Sequence, residues 1–273
     1  MTFLQAILLG IIQGLTEFLP VSSSAHLVLV PYLLGWEIPP EEAFVFNVLV
    51  QVASLIAVIV FFSQDLAEIL KAAMRGLIQK SPFAEPAARQ GWLLILATIP
   101  AGLVGLAIKD LVEQAFASPL AVAIFLLVTA GMLVLAENLG GLEKDLVEVN
   151  WKDALFIGLA QAIAIFPGVS RSGATITGGM LRGLKRPAAA RFAFLMAIPI
   201  MLAAGLLAGK DLTEIAGFSR LLPVFLPGLL ASAIVSYLSI RWLLAYLKKR
   251  RLYVFAAYCA LLGLIIMVAY AMN

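Results

Sequence analysis

The chain has 273 residues, of which 63% are hydrophobic and 13% charged, with a mean hydropathy of +1.04. A soluble fold of this length cannot hide so much apolar surface, because part of any globule faces water; the composition calls for a polytopic membrane protein among membrane lipids. The net charge of +3 is too small to imply a nucleic-acid partner.

The chain opens on "MTFLQAILLG", with no basic run ahead of its apolar residues and no small-residue cleavage site after them, so no cleavable signal is expected. Residues 3–35 are apolar but interrupted by Pro20 and the serine knot Ser22–Ser24. Each half has about 10–15 residues, too short to cross a bilayer, and a re-entrant helical hairpin is predicted. A first crossing is expected over 43–62. Residues 63–90 begin as an amphipathic helix with Leu66, Ile69 and Leu70 on one side, expected to lie on the membrane surface. Crossings follow at 91–109 and 118–137, a second interrupted hairpin at 153–185, and further crossings at 188–208, 222–246 and 252–271. The single cysteine, Cys259, has no intrachain partner and is expected to pack. Glu137 and Asp153, near helix ends, are expected to be solvated. The fold class is therefore all-α, with six transmembrane helices plus two re-entrant hairpins in one integral membrane domain, 1–273.

Charge orients this arrangement. Of the 19 basic residues, Lys109, Lys210 and Arg220 fall in one set of loops. All the others except Arg171 fall in the opposite set, which includes Lys248–Arg251. The excess of positive charge marks the cytoplasmic side and puts both termini outside.

A shift of 148 residues aligns "AILLGIIQGLTEFLPVSSSA" with "ALFIGLAQAIAIFPGVSRSG" without a gap. Gly10/Gly158, Gln13/Gln161, Phe18/Phe166, Ser22/Ser170 and Ser24/Ser172 are among the identities. Three crossings separate the copies, so their orientations are opposite. This predicts an inverted-topology repeat, about 1–137 and 150–273, whose broken helices meet near the midplane.

The knots hold the polar chemistry. Ser22 and Ser23 lie four and three residues before His26, so hydroxyl and imidazole can share a helix face. With Glu17 they supply the parts of an activated nucleophile or a general acid–base pair, although such serines also bond to their own helix turn. Arg171, between Ser170 and Ser172 in "PGVSRSGATITGG", needs an anionic partner in hydrocarbon. That partner is either a phosphate, which the guanidinium fork and helix N-termini suit, or Glu17 in a structural ion pair. Gln51 and Asn47 inside the first crossing either line the pocket or join helices.

"QGLTEFLPVSSSAH" and "PGVSRSGATITGG" resemble the two signature motifs of the undecaprenyl-diphosphate phosphatase family of the bacitracin-resistance type. The resemblance extends over the whole chain. It implies hydrolysis of the C55 isoprenyl diphosphate to the monophosphate, recycling the carrier lipid for cell-wall synthesis at the outer face of the bacterial plasma membrane. It also implies a divalent cation, Mg2+ or Ca2+. The family's essential glutamate falls on Glu17, its serines on Ser22 and Ser23, and its histidine on His26. Its second-motif arginine falls on Arg171, with Ser170, Ser172 and Thr175 as phosphate ligands beside it. Ser24 and Gln51 join them as phosphate-binding candidates. Where many members carry a second glutamate this chain has Gln13, so Glu17 and the substrate's phosphates would hold the ion. The nucleophile is left open among Ser23, His26 and water. So is the oligomeric state, a homodimer included. The alternative function is a lipid-phosphate transporter or flippase, for which a phosphate clamp alone suffices.

Overall fold

In lipid each backbone N–H and C=O must find its partner within its own segment, and the apolar stretches accordingly become helices. The computed structural model describes residues 1–116, 118–214 and 218–272, with the side chains of these except 109, 110, 113, 210–214 and 218–220. Lys109, Lys210 and Arg220, assigned above to the outer loops, thus lie outside the described side chains.

The first segment forms α1 (Phe3–Thr16) and α2 (Ser23–Leu33), and α3 (Pro40–Phe61), α4 (Ser63–Ile78), α5 (Pro86–Ala107), α6 (Lys109–Phe116) and α7 (Pro119–Leu139) follow. The second half runs α8 (Trp151–Ile163), α9 (Arg171–Leu181), α10 (Arg186–Glu214), α11 (Phe218–Leu247) and α12 (Tyr253–Met272). Helices α3, α5, α7, α10, α11 and α12 contain stretches long and apolar enough to cross a membrane. Helices α1, α2, α8 and α9 have 14, 11, 13 and 11 residues, about 16–21 Å each at 1.5 Å per residue, short of a hydrocarbon core of about 30 Å.

The halves exchange partners. Helix α1 lies along α11 and α8 lies along α5, while α7 packs on α12 and α3 on both α10 and α11. Two aligned glycines permit the exchange. A Cβ on Gly10 would stand 2.0 Å from the Gly228 carbonyl oxygen, and one on Gly158 would stand 2.4 Å from that of Ala97. Such backbone approach is how helices gain packing energy where lipid is as apolar as the side chains. Ser54 in α3 meets Ser232 (3.1 Å) and Ser236 (3.0 Å) of α11 in the same manner of close contact.

Two expectations are corrected. Glu137 and Asp153 are buried rather than solvated, because the loops fold back over the helix ends and use their carboxylates as ties. Glu137 accepts from Arg186 and from the Leu252 backbone N–H (2.8 Å), joining the end of α7 to the starts of α10 and α12. Free N–H groups at helix starts suit an anion. Asp153 accepts from Arg182 (2.8 Å), Lys144 (3.3 Å) and the Asn150 N–H (3.2 Å). Burial alone would raise the Asp153 carboxyl, but those hydrogen bonds outweigh it and hold it below its ordinary value. Only Ile69, Ala72 and Gly76 of α4 are buried, whereas Leu70, Met74, Leu77 and Ile78 form a separate exposed stripe.

Candidate active site

Helix α1 ends at Thr16 with Glu17 as its C-cap, and α2 starts after the N-cap Ser22. Between them the chain turns at Pro20. Ser22 adopts φ 67 and ψ 97, a region that side chains avoid at a cost of roughly 1–3 kcal/mol and that clusters at functional sites. Three contacts hold it: its Oγ accepts from the Ala25 N–H (3.4 Å) and lies 3.1 Å from Ser24 Oγ, and its carbonyl accepts from His26 Nδ1 (2.7 Å).

The second break repeats the device. Ser170 caps α9 by accepting from the Gly173 N–H (3.1 Å), with Ser172 Oγ 3.1 Å away. Gly168 has φ +102, and a Cβ there would be 2.4 Å from the Val122 carbonyl, so only glycine fits. Thr129 of α7 pins this turn, donating to the Gly168 carbonyl (3.0 Å) and accepting from the Ser170 N–H (2.9 Å).

The two turns touch. Ser172 Oγ donates to the Leu19 carbonyl (2.9 Å), and the Gly168 N–H donates to Ser24 Oγ (3.4 Å). At their junction Glu17, itself buried, gathers the polar groups. Its Oε1 accepts from Arg171 Nη2 (2.5 Å), and its Oε2 accepts from Ser23 Oγ (2.6 Å) and Gln13 Nε2 (2.7 Å). A buried carboxylate is tolerated when its lone pairs are filled this way. The arrangement offers a serine hydroxyl on a carboxylate beside a guanidinium, which is the equipment for deprotonating a nucleophile next to a bound anion.

The sequence candidates thus divide. Glu17, Ser23, Arg171 and Gln13 come together. His26 stands apart, its Nδ1 on the Ser22 carbonyl and its Nε2 2.6 Å from the phenol oxygen of Tyr258 in α12. Ser22 meets His26 through its carbonyl, not its hydroxyl. Ser170, Ser172 and Thr175 spend their hydroxyls on the cap, on Leu19 and on the Arg171 and Ser172 carbonyls. Thr129 and Tyr258 were not singled out by sequence. Their contacts reach 41 and 232 residues along the chain, where no local pattern can signal them.

Ser24, Asn47 and Gln51 share the wall of an open, largely apolar cavity of about 770 Å3. Leu9, Leu27, Val28, Phe44, Val48 and Ile165 form much of the remainder, and Met1, Trp36 and Ile38 stand at the terminus and loop end.

Among the described residues no three His, Cys, Asp or Glu side chains are grouped to hold a metal. The oxygens near Glu17 are nonetheless hard donors. Gln13 Oε1 is buried without a hydrogen-bond partner, next to the carboxylate that its own Nε2 contacts. Gln13 turns its Nε2 rather than its Oε1 to the carboxylate, so Glu17 is the group here that fits a Mg2+ or Ca2+ ion, which would take its other ligands from phosphate and water.

Comparison with known proteins agrees with the two motifs. The model of the family described as bacitracin resistance protein BacA matches residues 6–265. A protein of Methanobrevibacter smithii named undecaprenyl-diphosphatase is 42% identical over 97% of both chains. Proteins with that name from Chloroherpeton thalassium and Desulforudis audaxviator are 41% and 42% identical, over 100% and 97% of this chain and 98% and 96% of theirs.

Proposed function

The chain belongs to the bacitracin resistance protein BacA family, and on that premise we propose how its site works. The protein is an undecaprenyl-diphosphatase, a membrane hydrolase that converts the C55 diphosphate to the monophosphate and inorganic phosphate. The observation that carries the mechanism is the meeting of Ser23, Glu17 and Arg171 across two helix breaks 148 residues apart in register.

Glu17 accepts from Arg171. The arriving diphosphate takes over the guanidinium, whose planar fork matches phosphate oxygens. Glu17 is then free to act on Ser23. The Ser23 oxygen attacks the terminal phosphorus, its proton passes to Glu17, and the bond from that phosphorus to the bridging oxygen breaks. The leaving monophosphate carries away the electron pair, and water then releases phosphate from Ser23. Catalysis rests on positioning and charge stabilisation. A divalent cation held by Glu17 and the substrate's phosphates would supply further neutralisation of phosphate charge. Both His26 nitrogens are already engaged away from Ser23, which favours the serine over His26 as nucleophile. The cavity beside Ser24 has the apolar lining an isoprenyl tail requires, and Gln51 and Asn47 lie on its wall.

We place both termini and the mouth of this cavity on the outer face of the plasma membrane, from the distribution of basic residues, and read α1–α2 and α8–α9 as re-entrant hairpins from opposite sides. The relatives' name denotes a hydrolase, and no feature of the site favours a carrier.

The test is release of inorganic phosphate from farnesyl diphosphate by purified protein in detergent. Ser23→Ala and Glu17→Gln are each expected to lower kcat by about 100-fold or more, and chelation of divalent cations to stop turnover until Mg2+ is restored. Radiolabelled phosphate should be trapped on Ser23; label on neither Ser23 nor His26 would replace this scheme with direct attack by water.

A further inference from the structure

His26 is the chain's only histidine, and both of its nitrogens have partners. Nδ1 is 2.7 Å from the Ser22 carbonyl oxygen, which can only accept, so Nδ1 carries the proton. In the neutral ring Nε2 is then the acceptor, 2.6 Å from the Tyr258 hydroxyl, which donates to it. The two rings are stacked, with 4° between their planes and centroids 5.7 Å apart. The next residue, Cys259, reaches the same break at Pro20, its Sγ 3.6 Å from that carbonyl oxygen. One turn of α12 therefore grips the first break at two points.

What the grip secures is Ser22. Its positive φ is not self-sustaining, and the imidazole pulling on its carbonyl is one of the contacts that maintain it. Ser23 follows directly, with its Oγ 2.6 Å from Glu17. We propose that Tyr258 is a positioning residue that acts through His26 to hold the Ser22 turn and so aims Ser23 at Glu17. The inference rests on the phosphatase reading for its effect on rate, but not for the His26–Tyr258 pairing itself.

A single imidazole makes the pairing directly observable. Protein labelled with 15N-histidine and purified through a tag that lacks histidine should show one neutral tautomer, protonated at Nδ1. Tyr258→Phe removes one oxygen and keeps the stacked ring. It should give a mixture of tautomers, and kcat for phosphate release should fall about fivefold at unchanged KM, the scale of one neutral hydrogen bond. The double variant His26→Ala with Tyr258→Phe should be no slower than His26→Ala alone, because one residue acts through the other. An unchanged imidazole spectrum in Tyr258→Phe, an unchanged kcat, or additive losses in the double variant would each overturn the proposal. Absence of phosphate release by the unaltered protein would sink the phosphatase reading instead, while the spectrum still decides the pairing.

Discussion

Glu17 distributes three hydrogen bonds over two oxygens, and two of the donors come from its own broken segment while the third comes from the other half of the chain. Glutamate, serine and arginine were legible in the sequence because ionisable groups inside apolar segments stand out. Of the two sequence readings of Arg171, the structure shows the ion pair with Glu17; the phosphate clamp belongs to the proposed mechanism. His26 was equally conspicuous, yet its partner Tyr258 was not, since a tyrosine in a crossing helix looks like any interfacial aromatic. Asp153 shows the limit from another side. Its position near a helix end read as solvated, whereas Arg182, Lys144 and Asn150 close over it. Its carboxyl is held below the ordinary value, so the stabilisation it contributes is present above the unfolded carboxylate range and is lost as pH falls through the folded value. Thermal unfolding in detergent followed from neutral to acid pH should show this loss in the unaltered protein. Asp153→Asn should be less stable at neutral pH and should lose less on acidification.

At the scale of elements, the six long helices follow the sequence closely because length and apolarity decide them with little help from context. The apolar residues of α4 occupy two faces, and packing against α5 shows which is covered. The helix contacts offer a sharper test. Gly10→Ala and Gly158→Ala put the same methyl group against backbone atoms of α11 and α5, and neither neighbour is a flexible side chain. Each should destabilise the protein by about 1–3 kcal/mol, read as a lower midpoint of thermal unfolding in detergent. Gly209→Ala, with nothing within 4 Å of the added atom, should leave the midpoint nearly unchanged.

The whole molecule raises the matter of orientation, which charge alone proposes. Cys259 is the chain's one cysteine and is buried, so single cysteines introduced elsewhere can be labelled against a silent background. In intact cells a membrane-impermeant maleimide should label Glu37→Cys, and Lys249→Cys only after the membrane is opened. Labelling in the reverse sense would invert the arrangement and place the cavity mouth on the cytoplasmic side.

The exchange of helices between halves also imposes an order on synthesis. Helix α1 finishes at Thr16, but α11, along which it lies, begins only at Phe218. At roughly 5–20 residues per second the ribosome needs on the order of 10–40 s to make what lies between. Throughout that interval Glu17 has no Arg171 for the first part and α1 has no α11 for any of it. Helix α1 and its carboxylate can therefore complete their packing only after the second half of the chain has been made.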